Sequence, residues 1–360
     1  MDTSTAESWL KSAFSFDEYQ LIPKDERTLK YDEIKWITDR IFTKTFRKAP
    51  VHPEAAADIQ QKVKLSVEAG QPLYFILCFG GYKHFWNPSY PEVDFAELFE
   101  LKFMSDYLAP ILEAYEPGVV LEYESEDVIM SAMDNYPEKD LDRYSQSFRE
   151  LIALFSKSIP SNFKIRLVRA REQVPEESLW KRINEYLPNT RKEWNSLSTA
   201  ERDSRLGHSY SNMMWKGEKD LTSMSGKERE ERVLESKILN ETYYAADFDF
   251  RKYYLTGGNH IPLVCSFGTS RDNIGHWLTL GSTYSSMVDF WVGRGILEIK
   301  NGKVVERVVS HNQYDRIKDK LEVIEAFKDL PLKNLRNIEI GENLGIGESQ
   351  KKEKDINAPQ

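Results

Sequence analysis

Apolar residues recur along this chain in two rhythms, one continuous and one helical. The run "QPLYFILCF" (71–79) is almost wholly apolar after Gly70. That pattern predicts a strand covered on both faces. "PGVVLEYES" (117–125) follows a Pro-Gly turn and reads as a second strand, and "FKIRLVRA" (163–170) as a third. Between them lie helical periods. "VDFAELFELKFMSDYLAPILEAY" (93–115) is predicted as a long amphipathic helix bent near Pro110, and "EKDLDRYSQSFRELIALFSKS" (138–158) as another. "HPEAAADIQQKVKLSVEAG" (52–70) carries a proline at its start and a glycine at its end, as helices do. In "YDEIKWITDRIFTKTF" (31–46), Ile34, Ile37, Ile41 and Phe42 share one helical face. Strand, helix, strand, helix, strand predicts an α/β fold, Rossmann-like, with a mainly parallel sheet flanked by helices.

Past residue 171 the rhythm changes. "RKEWNSLSTAERDSRLG" and "SGKEREERVLESKILNETYYAADF" are helical and highly charged, so residues 172–250 read as a helical insertion with solvated faces. Strand patterns return in "HIPLVCSFG", "HWLTLGS" and "GILEIKNGKVVERVV". The last is a C-terminal β-hairpin turning at Asn301-Gly302. The expected organisation is an N-terminal helical extension (1–50), a Rossmann-like catalytic domain (51–340) and a disordered polar tail (341–360).

Composition narrows the class. Of 360 residues, 40% are hydrophobic and 12% aromatic, enough for a packed core. No apolar run reaches the roughly 18–20 residues of a membrane span, and the acidic, polar N-terminus does not resemble a signal or transit peptide. A soluble cytoplasmic protein is expected. The net charge of −9 and pI of about 5.4 weigh against a general nucleic-acid binder, although "KIRLVRAR" (164–171) and the region of Arg202 to Lys219 are locally basic. Two cysteines, Cys78 and Cys265, lie in apolar runs and read as free buried thiols. The six histidines (52, 84, 208, 260, 276 and 311) show no zinc-site spacing, so no metal site is expected.

Three clusters carry candidate chemistry. In parallel α/β sheets, ligands collect beyond the carboxyl ends of the strands. "FGGYKHFWNP" (79–88) leaves the first strand there. Gly80 and Gly81 would let a ligand approach the backbone, Lys83 would hold a phosphate or carboxylate, and Asn87 would orient a carbonyl. The alternative is a loop whose aromatics, Tyr82, Phe85 and Trp86, cover the sheet. "EYESED" (122–127) ends the second strand, and Glu126 or Asp127 would suit proton transfer beside Ser125. The alternative is a solvated acidic turn. "CSFGTSRDNIGHW" (265–277) offers Ser266, Arg271 and His276 as anion and proton contacts; the alternative is a plain hairpin loop.

The order of these features resembles the pyoverdine/dityrosine biosynthesis family, the isocyanide synthases. The resemblant run spans "QPLYFILCFGGYKHFWNPSYPEVDFAELFELKFMSDYLAPILEAYEPGVVLEYESEDVI". Lys83, Asn87-Pro88, Asp94, Glu97, Pro117-Gly118, Ser125 and Asp127 stand at the family's positions, followed by Tyr144 and Arg149 on the next helix. Weaker likeness extends over roughly residues 60–310. Trp291-Val292-Gly293 stands where the family has Trp-His-Gly.

The resemblance implies a metal-independent enzyme of specialised metabolism that needs no metal or redox cofactor. It would condense the amino group of an amino acid with the ketone of ribulose 5-phosphate, a sugar phosphate, and fragment the adduct to an isonitrile. Lys83 with Arg149 or Arg271 would clamp the phosphate. Glu126 or Asp127, with His276, would move protons. Gly80, Gly81, Asn87, Ser125, Tyr144, Ser266 and Arg271 would bind substrate. On this reading Lys83→Ala abolishes turnover and leaves the fold intact.

Two alternatives stand beside it. A tRNA-dependent cyclodipeptide synthase of the arginine-containing type shares a Rossmann-like domain, and "YYAADFDF" (243–250) is faintly similar to its Tyr/Glu segment. The acidic pI opposes it, as does the absence of a serine in "FGGYKHFW". The other is a non-catalytic, metabolite-binding relative.

Overall fold

The computed structural model describes residues 3–14, 32–47, 50–83, 86–134, 136–206, 224–253, 259–265, 278–280 and 290–346. The predicted strands form β1 (Leu73–Phe79), β2 (Val119–Ser125), β3 (Phe163–Arg169), β4 (His260–Cys265) and β5 (Leu278–Leu280). They build one sheet in the order β3-β2-β1-β4-β5, with every pair parallel. This is the Rossmann-like α/β sheet that the alternation of elements predicts. β4 and β5 pair in parallel, and residues 266–277, on which the hairpin-loop alternative falls, lie outside the described residues.

Helices α1 (Ser4–Ala13), α2 (Glu33–Ile41) and α3 (Pro53–Glu68) precede the sheet. Ala6, Leu10, Phe14, Trp36, Ile37 and Ile41 join the same apolar core as β1 and β2, so α1 and α2 are part of the packed body. Between β1 and β2 runs α4 (Phe95–Leu108), passing at Pro110 into a 3₁₀ turn over Ala109–Glu113. The bend falls where a proline removes a helical hydrogen bond. The helix itself is not amphipathic. Twelve of its fourteen residues are buried, Glu97 and Glu100 among them, because β6 and β7 cover the face that solvent would otherwise take.

Helices α5 (Asp127–Asp134) and α6 (Glu138–Phe155) connect β2 to β3. Then α7 (Ala170–Gln173), α8 (Glu176–Ser196), α9 (199–206) and α10 (Gly226–Tyr253) supply the helical insertion. Trp194, Leu206, Val233 and Ile238 make a separate small core between its helices. Outward, the charges pair locally, as in Arg191 with Glu235.

The C-terminal part departs from expectation. The hairpin β6 (Arg294–Lys300) and β7 (Lys303–Val309) forms at the predicted Asn301-Gly302 turn, with both residues at positive φ. It belongs to a second sheet, however, ordered β7-β6-β9-β8, with β8 at Glu322–Glu325 and β9 at Asn337–Glu342. Helix α11 (His311–Ile317) precedes β8. The tail expected from residue 341 begins inside this sheet: β9 runs to Glu342, and Leu344 and Ile346 are buried. Among the described residues no helix is long and apolar enough to cross a membrane.

Candidate functional site

The loop leaving β1 turns at Gly81, whose φ of +76° suits a residue without Cβ. A Cβ on Gly81 would stand 1.9 Å from Ser125 Oγ, and one on Gly80 would stand 2.2 Å from the Tyr82 ring. The space beside both glycines is filled from within by the neighbouring strand end and by the loop's own aromatic. Ser125 is fully buried, and its hydroxyl finds no hydrogen-bond partner among the described residues.

Beyond the glycines the loop dives into the interior. Lys83 is wholly buried, and its ammonium meets Glu97 Oε1 at 2.8 Å and Asp94 Oδ1 at 3.3 Å. It also donates to the carbonyls of Phe290 at 3.0 Å and Gly293 at 2.9 Å. Asn87 Nδ2 donates to the same Gly293 carbonyl at 3.1 Å and to Asp94 Oδ2 at 3.3 Å. Ser89 Oγ donates to Asp94 Oδ2 at 3.0 Å, and the Gly295 N–H to Asp94 Oδ1 at 3.3 Å.

These bonds converge on the start of α4 for a local reason. Asp94 is the N-cap residue: its side chain accepts from the Ala96 N–H, while Glu97 reaches back to the Asp94 N–H at 2.8 Å. This capping box satisfies donors that the helix itself leaves open. It also places two carboxylates side by side in the interior, and Lys83 sits between them. Tyr144, from α6, donates to Glu97 Oε1 at 2.8 Å. Burial drives the Glu97 carboxyl up to about 7, against the attraction of Lys83. Burial and the adjacent Glu97 hold the Tyr144 phenol well above its usual range.

The acidic cluster of β2 divides by strand alternation. Glu122 pairs with Arg166 at 2.7 Å and Glu124 accepts from Cys78 Sγ at 3.0 Å, so these two carboxylates face the sheet rather than a shared acid–base pair. The Glu126 N–H donates to Phe79 O at 2.9 Å, joining the ends of β1 and β2. Asp127 is fully buried. Its Oδ2 accepts from Arg169 Nε at 2.8 Å and forms an ion pair with Arg171, whose Nε lies 2.9 Å away, and its Oδ1 accepts from the Val128 N–H at 3.0 Å. Burial raises its pKa while both guanidiniums oppose the rise. The solvated-turn alternative for this cluster does not hold. From the basic run 164–171, Arg166 in turn pairs with Glu122 of β2, and Arg169 and Arg171 with Asp127 at the start of α5.

The structure brings Lys83, Asn87 and Tyr144 into one network, and sets Ser125, Glu126 and Asp127 at the neighbouring strand end. It does not bring Arg149 to Lys83. Arg149 donates instead to the Leu167 carbonyl and to Glu172. Ser266, Arg271 and His276 lie outside the described residues, as do His84 and Phe85. The structure adds partners that sequence reading missed: Ser89, Gly295 and the carbonyls of Phe290 and Gly293. A main-chain carbonyl carries no sequence signal, so only the fold could supply the last two.

Above the strand ends, Tyr82 packs on Tyr136 with ring centroids 4.6 Å apart, joined by Val128, Met130, Met133 and Tyr243. A groove of about 550 Å³ runs along α8, lined by Glu177, Trp180, Lys181, Asn184 and Glu185. No predicted site residue lines it. Among the described residues no group of histidines, cysteines and carboxylates is placed to hold a metal ion.

No protein-family model matches the chain, and no curated protein matches it by sequence. In fold it is similar to the PvcA protein from Pseudomonas aeruginosa, with a TM-score of 0.62 and 14% identity over 86% of this chain and 99% of PvcA. A second structure, tyrosyl-tRNA synthetase from Aeropyrum pernix, aligns at a TM-score of 0.32 and 13% identity over 64% of this chain and 53% of the synthetase, too low to bear on the fold.

Proposed function

We propose that the chain is a biosynthetic enzyme of isocyanide synthase-like type, acting on the amino group of an amino acid. One observation carries the reading. Lys83, Asn87, Asp94, Glu97 and Tyr144, five of the residues that carry the resemblance to that family, belong to one buried network. Side chains spread over sixty positions of sequence meet at the carboxyl end of β1, where α/β sheets bind ligands. The match of fold to nearly all of PvcA supports the reading without fixing the reaction.

In this proposal the substrate lies over the ends of β1, β2 and β4. The amine adds to the ketone of ribulose 5-phosphate, and water leaves as the carbinolamine collapses to an imine. Glu126 transfers protons, and the Ser125 hydroxyl bonds the bound substrate. Asp127 orients Arg169 and Arg171 at the edge of the site. Arg271 and Ser266 hold the phosphate, and His276 assists proton transfer, all from the segment that follows β4.

The test is direct. The purified protein is incubated with ribulose 5-phosphate and each of the twenty amino acids, and products are read by mass spectrometry. An isonitrile formed at the expense of one amino acid supports the proposal. A parallel incubation with charged tRNA reads the competing aminoacyl-transfer chemistry: a cyclic dipeptide there alone, abolished by ribonuclease, overturns it. No product in either, with thermal stabilisation by a metabolite, favours a binding protein.

A further inference from the structure

The partners of Lys83 fix what its ammonium can do. It carries three hydrogens and faces four acceptors, Glu97 Oε1, Asp94 Oδ1 and the carbonyls of Phe290 and Gly293, all within 3.3 Å. Its side chain has no solvent exposure. No hydrogen remains to donate to a phosphate or a carbonyl of a substrate.

Two of those acceptors belong to a segment more than two hundred positions away in sequence. Phe290 and Gly293 bracket Trp291 and Val292, which pack against the apolar cluster over the strand ends. Trp291 also contacts the Phe79 ring at the end of β1, with centroids 5.8 Å apart. Asn87 holds Gly293 O from the same loop as Lys83. The lysine therefore fastens one wall of the proposed site to the exit of β1.

We infer that Lys83 is a positioning residue: it pins Phe290–Gly293, and through them Trp291, to the loop after β1 and makes no contact with substrate. The inference places the site where the proposed function does, but its decisive readouts need no substrate.

A buried charge left without its partner is strongly destabilising, whereas removing both members of a pair can be nearly neutral. Asp94 keeps four other donors when Lys83 is lost: Asn87, Ser89 and the N–H groups of Ala96 and Gly295. Glu97 keeps only Tyr144 and the Asp94 N–H. The test is accordingly a cycle of Lys83→Met, Glu97→Gln and the double variant. It is followed by thermal unfolding and by hydrogen exchange of the amides of 290–293.

The single Lys83→Met variant is expected to lower Tm by roughly 5–10 °C and to speed exchange of those amides at least about tenfold. The double variant should recover most of the Tm. If the first substrate assay yields turnover, the double variant should also regain it to within about tenfold, the residual loss lying in KM rather than kcat. A substrate-contacting lysine gives the opposite result: wild-type Tm and exchange in Lys83→Met, lost turnover, and no recovery in the double variant. A double variant that stays unfolded also overturns the inference. Acylation of the native wild-type protein supplies a check free of mutation. Lys83 should stay unmodified while surface lysines react, and modification at the surface rate would refute the assignment. Absence of turnover in the wild type would sink the proposed function and leave these measurements decisive for Lys83.

Discussion

Glu97 Oε1 accepts from Lys83 at 2.8 Å, and neither side chain reaches solvent. Burial outweighs the attraction of the lysine and lifts the Glu97 carboxyl to about 7, from the 4.5 of an exposed glutamate. Between those values the folded state holds a proton that the unfolded chain has released. Stability from this group is complete below about pH 4.5 and is lost as pH rises through about 7. Half-buried Glu306 on β7, near Lys102 and Asp106, is raised to about 7 in the same direction. Urea denaturation should therefore give a higher midpoint at pH 5 than at pH 7.5. Glu306→Gln should flatten part of that slope, and a midpoint that rises over this interval would refute the assignment.

Gly295, the second residue of β6, lies directly against the start of α4. A Cβ there would meet Ala96 N at 2.4 Å and the Phe95 carbonyl carbon at 2.5 Å. Both contacts are main chain, so no rotamer change relieves them. Gly295→Ala should cost about 1–3 kcal/mol or more as overpacking. Thermal unfolding reads the loss, and wild-type stability would show that the second sheet is not seated on α4 as described.

Ser125 makes a sharper division between stability and function. Its buried hydroxyl lacks a hydrogen-bond partner among the described residues. Removing such a group relieves a desolvation penalty of about 1–3 kcal/mol. Ser125→Ala should leave Tm unchanged or raise it while lowering turnover at least about tenfold. A fall in Tm would mean that the hydroxyl serves the fold.

Asp127 is the reverse case. Arg169 and Arg171 both pair with one of its oxygens, and Asp127→Ala leaves them Asp142 and Glu138 as remaining carboxylate partners. The expected cost is therefore below the roughly 3–5 kcal/mol of a buried charge left wholly unpaired, about 1–3 kcal/mol, measured by chemical denaturation. Asp127→Asn keeps the shape and loses the charge, so it should fall between wild type and alanine. Glu126→Gln, by contrast, should keep the fold and reduce kcat by about 10²–10⁴ if Glu126 moves the proton.

Much of the fold could be read from the chain because its central strands are covered on both faces. Such a strand is a continuous apolar run, as in β1, whereas β2 was read from the Pro-Gly turn before it and β3, at the sheet edge, alternates apolar with basic residues. The second sheet was hidden for the converse reason. β8 is four residues, Glu-Val-Ile-Glu, at a sheet edge, and only Ile324 is buried. α4 misled because its charged Glu97 and Glu100 suggested a wet face, whereas Glu97 is held inside by Lys83 and Tyr144. The site was partly legible. Lys83, Asn87 and Tyr144 were singled out, but their depth was not, since burial of a lysine depends on acceptors supplied by a remote part of the chain. That depth sets the expectation that Lys83→Ala spares the fold against the positioning role proposed for Lys83, and the Lys83→Met cycle decides between them.

The bond from Lys83 to the Gly293 carbonyl spans 210 positions of sequence. Contacts of such separation pay the entropy of closing a long loop before they return any energy, and they slow folding. During synthesis, the strand β1 and the loop after it leave the ribosome long before their partner exists. Until residues 290–295 arrive, Lys83, Asp94 and Glu97 can form a pair of carboxylates and an ammonium, but not the closed network. The last step of assembly should therefore be the docking of the second sheet onto α4. A chain stopped short of Phe290 would keep the elements of the parallel sheet without the latch that joins them.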